Sequence, residues 1–525
     1  MQRLNDSVQT AFDTMSTAGV RYPAHQFLVS WLRRISEADV FGIVGTSLIN
    51  NCMVRGENSI VTPTDLYDFS DETDKVTRLE YERTLDEPMG GLSFAMMNVV
   101  LDNTDKHFTP EFDSTIGTAL LPNRPLKMAI GFTLNTGRKM MNVFKGLSDM
   151  IKENKMERTV EFGGFDYLYY LRDLQMDSAL YNNYRSDQII EEMLIEAGFG
   201  SSQYVLDEGL NTIEFAWFSK DQTAGERIRQ LCEAEEANFF QDEEGILRFQ
   251  NRRHYVVSPF DTIQKYIHSG DILEWQVIDD VGIYNSVSVK ASPREVYTNS
   301  IEVWKDGIVE QVDAKATNIE IWASMDNPIY HFETPTAVTD FVANSASDGS
   351  GSDMTSYITV SLDPFGDTAK LTISNSATQR VYITYLRLRG NPAIVTSEIA
   401  QKYEDNSSIL KYGKKVLEVT NDFIDSDSFA YYLARTLVNK YKDPLKRVQI
   451  LVRGMPQLQL KDKISVYDQD LGTYKEYRVM RIQGIYSLGE FLQYLTIREI
   501  TAGEVDNWAI VGSAIVDNTA EVVGF

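Results

Sequence analysis

Short runs that alternate apolar and polar residues, parted by turn residues, fill both ends of this chain, and nothing else in it narrows the fold as much. Successive side chains on a strand point to opposite faces, so each run must bury one face. In the first third the runs cover 75–86 (KVTRLEYERTLD), 91–103 and 125–135, and the pattern continues over 142–173. In the last third they cover 446–456, 461–470, 474–486 and 491–500. Strands at this spacing predict small β-barrels or sandwiches. Both ends are strand-rich with a helix, which is compatible with a distant duplication. One early segment breaks the rule. Over 24–35, Phe27, Leu28, Trp31, Leu32 and Ile35 share a helical stripe, which predicts a helix.

Between the strand-rich ends lies a helical unit. Residues 185–200 predict a helix with Ser186 as N-cap, Ile189, Ile190, Met193, Leu194 and Ala197 as its apolar stripe, and Gly198 as its stop. A second helix opens on a capping box, Thr223 and Glu226, and places Ile228, Leu231, Cys232 and Glu235 on one face. It runs into 232–253 (CEAEEANFFQDEEGILRFQNRR), where a carboxylate-rich helix meets an aromatic strand, an acidic turn at Gly245, a return strand and two arginines. Three readings stand: a catalytic cleft, a metal loop, or a structural hairpin whose polar edge meets a partner chain.

Residues 294–392 change character. They are rich in Ser, Thr, Asn and Asp, contain the soft loop SASDGSGSD, and read as an inserted β-sandwich. Beyond them, 426–444 predict a helix with Phe429, Leu433 and Leu437 on one face and Pro444 as its end.

Composition then excludes whole classes. A chain of 525 residues with 43% hydrophobic and 24% charged content is globular and long enough for several cores. A net charge of −26 argues against sequence-independent phosphate binding and against anionic membrane. Cys52 and Cys232 make no disulfide framework, so a reducing compartment is expected. The opening residues lack a basic start with an apolar core, and 38–49 are too short and glycine-broken to span a bilayer; neither a leader nor stable membrane insertion is expected.

Catalytic signatures are not found. The five histidines form no HExxH or HxH, and there is no GxSxG, Walker A or strand-borne GxGxxG. DQDLG and QDEEG look like calcium loops but lack the ligand register, and hairpin turns favour the same residues. Adjacent carboxylates such as Asp279 and Asp280 point to opposite faces of a strand and do not make a glycosidase pair. No catalytic residue, metal or cofactor is expected.

The order of elements resembles the baseplate-hub and tail-tip hub proteins of tailed bacteriophages. The residues that carry this are 184–199, 224–253 and 419–466. The last of these contains Gly454, Pro456, Leu458, Leu460, Asp462, Ile464 and Val466 in the pattern GxPxLxLxDxIxV. Residues 78–99 resemble that family's first barrel. The resemblance implies a mainly β chain with α+β modules: two tube-type β-barrel domains, a helix-plus-hairpin domain and an inserted β-sandwich. The expected boundaries are 1–175 for the N-terminal region and first barrel, 176–255 for the helix-plus-hairpin domain, 256–293 with 403–502 for the second barrel, 294–402 for the sandwich and 503–525 for a tail. It implies a non-enzymatic homotrimer at the distal tip of the tail, assembled in the host cytoplasm. Its partners would be a distal-tail or tail-tube ring, a tape-measure protein and receptor-binding or fibre proteins, with DNA passing through an acidic lumen without specific binding. Departing from the family pattern, no fibre or cell-wall hydrolase segment is expected after the second barrel. Phe239, Phe240, Arg252 and Arg253 are candidate subunit-interface residues. Trp322, Tyr330, Tyr357 and Tyr382 are candidate saccharide platforms, or equally sandwich core. Alternatives are the hub of a contractile injection device and a carbohydrate-active enzyme with a β-sandwich binding module.

Overall fold

The computed structural model describes residues 22–30, 55–56, 59–60 and 69–500, apart from 86–88, 110, 113–119, 135–136, 150, 220–221 and 257–258. The alternating runs of both ends become strands of one fourteen-stranded sheet. The first module contributes, in chain order, Val76–Thr84, Ala95–Asp102, Pro125–Leu134, Gly137–Ser148 and Thr159–Phe165. The second contributes Ile272–Val281, Leu445–Arg453, Lys463–Asp468, Thr473–Ser487 and Glu490–Glu499. Numbered in that way, both modules have the same lateral order, one-two-five-four-three. In each, the first strand follows a single turn of 3-10 helix, Thr73–Lys75 and Ser269–Asp271. The duplication suspected from strand-rich ends is therefore a repeat of topology.

The modules are sewn together. The first strand of the first module pairs antiparallel with the fourth strand of the second, from Arg78↔Ser487 to Thr84↔Arg481. Their apolar faces merge in one cluster that includes Leu79, Val99, Phe162, Ile450, Val479 and Leu495. The seam requires glycine at 484, because a β-carbon there would enter the Tyr81 ring. The first module closes on itself: the Phe27 amide donates to Thr73 Oγ1 and the Glu72 amide to the Phe27 carbonyl, each at 3.0 Å.

Residues 24–29, expected as helix, are strand. Tyr22–Val29 pairs along its whole length with Pro125–Leu134 and buries Phe27 and Val29. A stripe compatible with a helix was overridden by a waiting sheet edge. The rest of that expected helix, 31–35, lies outside the described residues, as do 38–49, Cys52 and the expected tail at 503–525. Within 142–173, Leu168–Asp173 is helix rather than strand.

The helical unit has its own core, built from Ser186–Glu196, Ala224–Glu235 and the sheets beneath them. Gly198, at φ +92°, ends the first helix: its amide donates to the Ile195 carbonyl and that of Phe199 to Leu194, a Schellman closure. Ser186 is not the N-cap. Arg185 holds that place, its amide donating to Gln188 Oε1 at 3.0 Å, while the Ser186 hydroxyl donates to buried Glu235. A further difference concerns 403–444. Ser286–Ala291, Ile399–Glu404 and Val416–Thr420 form a separate sheet, covered by Asp427–Tyr441, and their apolar residues join the helical core instead of the barrel.

The sandwich leaves and re-enters at one point, because Ala291 and Ile399 are paired neighbours. Its two sheets enclose a third core, with Ile319–Ser324, Thr368–Asn375 and Ile358–Pro364 on one side and the long strand Val381–Val395 with its partners on the other.

Candidate functional site

The segment 232–253 lies where all the cores except that of the sandwich meet. Ile228, Leu231, Cys232 and Glu235 are fully buried on one helix face. Glu235 accepts the Ser186 hydroxyl and, at 2.9 Å, the Leu210 amide; burial raises its carboxyl above the usual range. Burial likewise pushes the Cys232 thiol well up. The helix ends on Glu236 in the left-handed region, φ +53°, with the Ala237 amide on the Cys232 carbonyl.

The next strand, Asn238–Gln241, is flanked on both edges. It pairs with Leu247–Gln250 on one side and Gly91–Ser93 on the other. Consecutive side chains on it face opposite ways. Phe239 therefore enters the helical core and Phe240 the barrel core. Both were expected at a subunit interface; they join two parts of one chain, and neither is available to a neighbour. Arg252 is also internal, donating to Asn211 Oδ1 at 3.3 Å and to the Glu235 carbonyl at 3.2 Å, with burial lowering its pKa. Arg253 is partly exposed, its amide donating to Asn251 Oδ1 at 2.8 Å.

In the acidic turn the carboxylates are engaged by groups of the same chain. Asp242 Oδ1 accepts the amides of Glu244 and Ile246, and its Oδ2 accepts Arg248 Nε at 2.6 Å. Glu243, 4% exposed, forms an ion pair with Arg83 of the first module and accepts Gln459 Nε2 of the second module at 2.8 Å. Arg83 also donates to the Gln241 carbonyl at 2.7 Å. Glu244 accepts Asn142 Nδ2 at 2.7 Å. Asp242 thus braces the turn itself, while Glu243 and Glu244 fasten the hairpin to other parts of the chain. Beside them Asp166, wholly buried, is pushed up to about 7 by burial, although it accepts the Ala95 amide at 2.6 Å. The second calcium-like turn is similar: Asp468 Oδ1 accepts the amides of Asp470 and Leu471.

A feature missed in the sequence lies at the end of the large sheet. Ile272–Val281, first strand of the second module, pairs with Leu445–Arg453 on one side and is the last strand of the described sheet. Trp275 and Val277 sit opposite Ile450 and Val448, on the core side, yet are 38% and 55% exposed; Leu273 is 44% exposed. The alternation of ILEWQVI was legible, but not that its apolar face would lie open.

The four saccharide candidates are not one platform. Tyr330 belongs to Ile329–Phe332, paired near Asn391, whereas Tyr382 lies at the other end of the same long strand. At the ordinary strand rise these points are about 30 Å apart. Tyr357 lies beside Ser376, away from Trp322, which pairs with Lys370. Trp322, Tyr330 and Tyr357 are 45–51% exposed, so core packing does not account for them.

No protein-family model and no curated relative matches this sequence. Solved structures do. A 43 kDa tail protein of prophage MuSo2 from Shewanella oneidensis is 12% identical, over 84% of this chain and 97% of its own, at TM-score 0.44. A tail protein from Neisseria meningitidis is 10% identical, over 84% of this chain and 96% of its own, at 0.46. An Escherichia coli component of the type VI secretion system, described as structurally similar to phage T4 tail proteins, is 10% identical over 82% of this chain and 74% of its own, at 0.37. The chain is similar in outline to proteins of phage tails and of a related secretion machine, and at these scores the likeness says nothing of what it does.

Proposed function

We propose that this chain is a structural hub subunit at the end of a phage tail tube, assembling as a ring. The observation that carries the reading is the uncovered first strand of the second module. Its topological equivalent in the first module is covered by a strand of the second module, within the same chain. Ile272–Val281 has the same place in its module and an open apolar face. A second copy supplying a strand there would repeat the internal seam between chains. Such a head-to-tail contact generates a ring when its rotation closes. Three copies with two modules each give six similar units, the trimer that the sequence resemblance implies. A long edge strand is hazardous alone and safe when paired.

The ring would carry DNA through its centre without holding it, which the net charge of −26 favours. Across the sheet face turned away from the core, polar side chains meet in pairs: Arg481 donates to Glu82 at 2.8 Å, and Asn98 to Glu161 at 2.9 Å. A distal-tail or tube ring, a tape-measure protein and receptor-binding or fibre proteins would be its partners, and Arg253 stays a candidate contact among them. A catalytic reading through Glu235 or Asp242 is disfavoured, since both are buried and hydrogen-bonded.

Light scattering on the purified chain tests this. The expected mass is three times 59.7 kDa, with a central opening in particle images. A species of one chain mass at every concentration, or a compact trimer with no opening, overturns it.

A further inference from the structure

We propose that the β-sandwich is a latched arm, held against the helical unit chiefly through one loop and free to swing on its two-strand stalk when that loop lifts. This does not depend on the ring. Among the described residues, every strand of the sandwich pairs only with sandwich strands, and its core is a cluster of its own. The chain enters and leaves through one paired position, Ala291↔Ile399, with Arg294–Val296 and the end of Val381–Val395 forming the stalk. A module built so folds on its own contacts, and its placement is set by whatever else touches the body.

That contact gathers on residues 365–368. The Gly366 amide donates to the Ser178 carbonyl at 2.6 Å. Thr368 Oγ1 donates to Asp177 Oδ2 at 3.0 Å, and Trp217 Nε1 to Asp367 Oδ2 at 3.3 Å. Trp217, 8% exposed, is the seat: the Arg294 guanidinium lies over its ring at 4.7 Å, and Gly366 lies against its other atoms so closely that a β-carbon would come within 2.5 Å of Trp217 Cβ. Tyr330 meets Phe215 edge-on beside it at 6.3 Å, and Trp322 stacks on Phe365 at 5.6 Å. The joint is close-fitting but incompletely satisfied, since Asp367 Oδ1 and Arg227 Nε are buried without a hydrogen bond. Few contacts, centred on one loop, with a buried polar mismatch, describe a local opening cheaper than unfolding either side.

Gly366→Val is the clean probe, because Gly366 needs no left-handed backbone and the three atoms nearest an added β-carbon all belong to Trp217. Hydrogen exchange on the full-length chain is the measurement. The variant should speed exchange about tenfold or more at 177–178, 215–218 and 366–368, while the sandwich strands Ile358–Pro364 and Thr368–Asn375 beyond that loop keep their protection. Small-angle scattering should show a larger maximum dimension. Thr368→Val, which removes only the hydroxyl donor, should give the same pattern more weakly and guards against a Gly366→Val chain that does not fold. Unchanged exchange at the seat in both variants overturns the latch. Equal loss of protection through the sandwich core overturns the arm, because the module would then be one cooperative unit with the body.

Discussion

Two strands hold the same place in two copies of one topology, and their surroundings differ. Val76–Thr84 buries Leu79, Tyr81 and Arg83 and is paired along its outer edge with a strand of the second module. Ile272–Val281 presents Trp275 and Val277 on the equivalent face and leaves them open. Among the described residues the seam is made once, and the outer edge of Ile272–Val281 pairs with no strand. On the proposed ring, a neighbouring copy would cover the second site, as the second module covers the first within the chain.

Four experiments break or sharpen this contrast. The largest effect is expected on the covered strand. Arg83→Ala leaves Glu243 buried without its ion pair and should cost about 3–5 kcal/mol in urea unfolding, whereas the pair Arg83→Met with Glu243→Leu should recover most of it. Next, Leu79→Ala should cost about 2–5 kcal/mol through the cavity it leaves. Val277→Ala, at the equivalent face, should change monomer stability by roughly 0.5 kcal/mol or less. Equal losses at the two positions would mean that the second face is already covered within the chain.

A joint Trp275→Asp, Val277→Asp substitution should leave the far-ultraviolet circular dichroism unchanged and convert the assembly to single chains on a sizing column. A variant that still assembles would move the contact elsewhere.

The last experiment concerns pH. Burial holds the Asp166 carboxyl up at about 7, against an unfolded value of about 3.9. Over that window the folded chain keeps a proton that the unfolded chain has released. The stabilisation is whole below the unfolded value, is lost as pH rises through the folded one, and is flat above it. Asp166→Asn removes the titration, so its unfolding midpoint should fall less than that of the parent chain between pH 4.5 and 7.5, by roughly a few tenths of molar urea. Parallel pH profiles for the two would show that Asp166 does not titrate in that window.

Much of the hairpin was legible. Thr223 caps the helix as its spacing predicts, its hydroxyl accepting the Glu226 amide at 3.2 Å, and Gly245 takes the positive φ of the turn. The strands of the last third stand at their expected places because their alternation is long and uninterrupted. Phe239 and Phe240 were misplaced for a specific reason. Alternation shows that two neighbours face apart, but not that a core waits on each side. The partner strand Gly91–Ser93 lies nearly 150 residues earlier, beyond any local signal. Residues 24–29 failed likewise: a stripe of Phe27 and Leu28 fits a helix, and only the distant Pro125–Leu134 edge selects the strand.

Local chemistry in the sequence determined most of the strands and helices, 24–29 and 168–173 excepted, and the polar turns at Gly245 and Asp468. Those properties depend on periodicity, capping and turn residues within a few positions of one another. Tertiary structure alone decided that Glu243 reaches Arg83, that the two modules repeat one strand order, and that one first strand is covered while the other is open. These are contacts between residues far apart in the chain, and burial belongs to the neighbour that arrives, not to the residue that is covered.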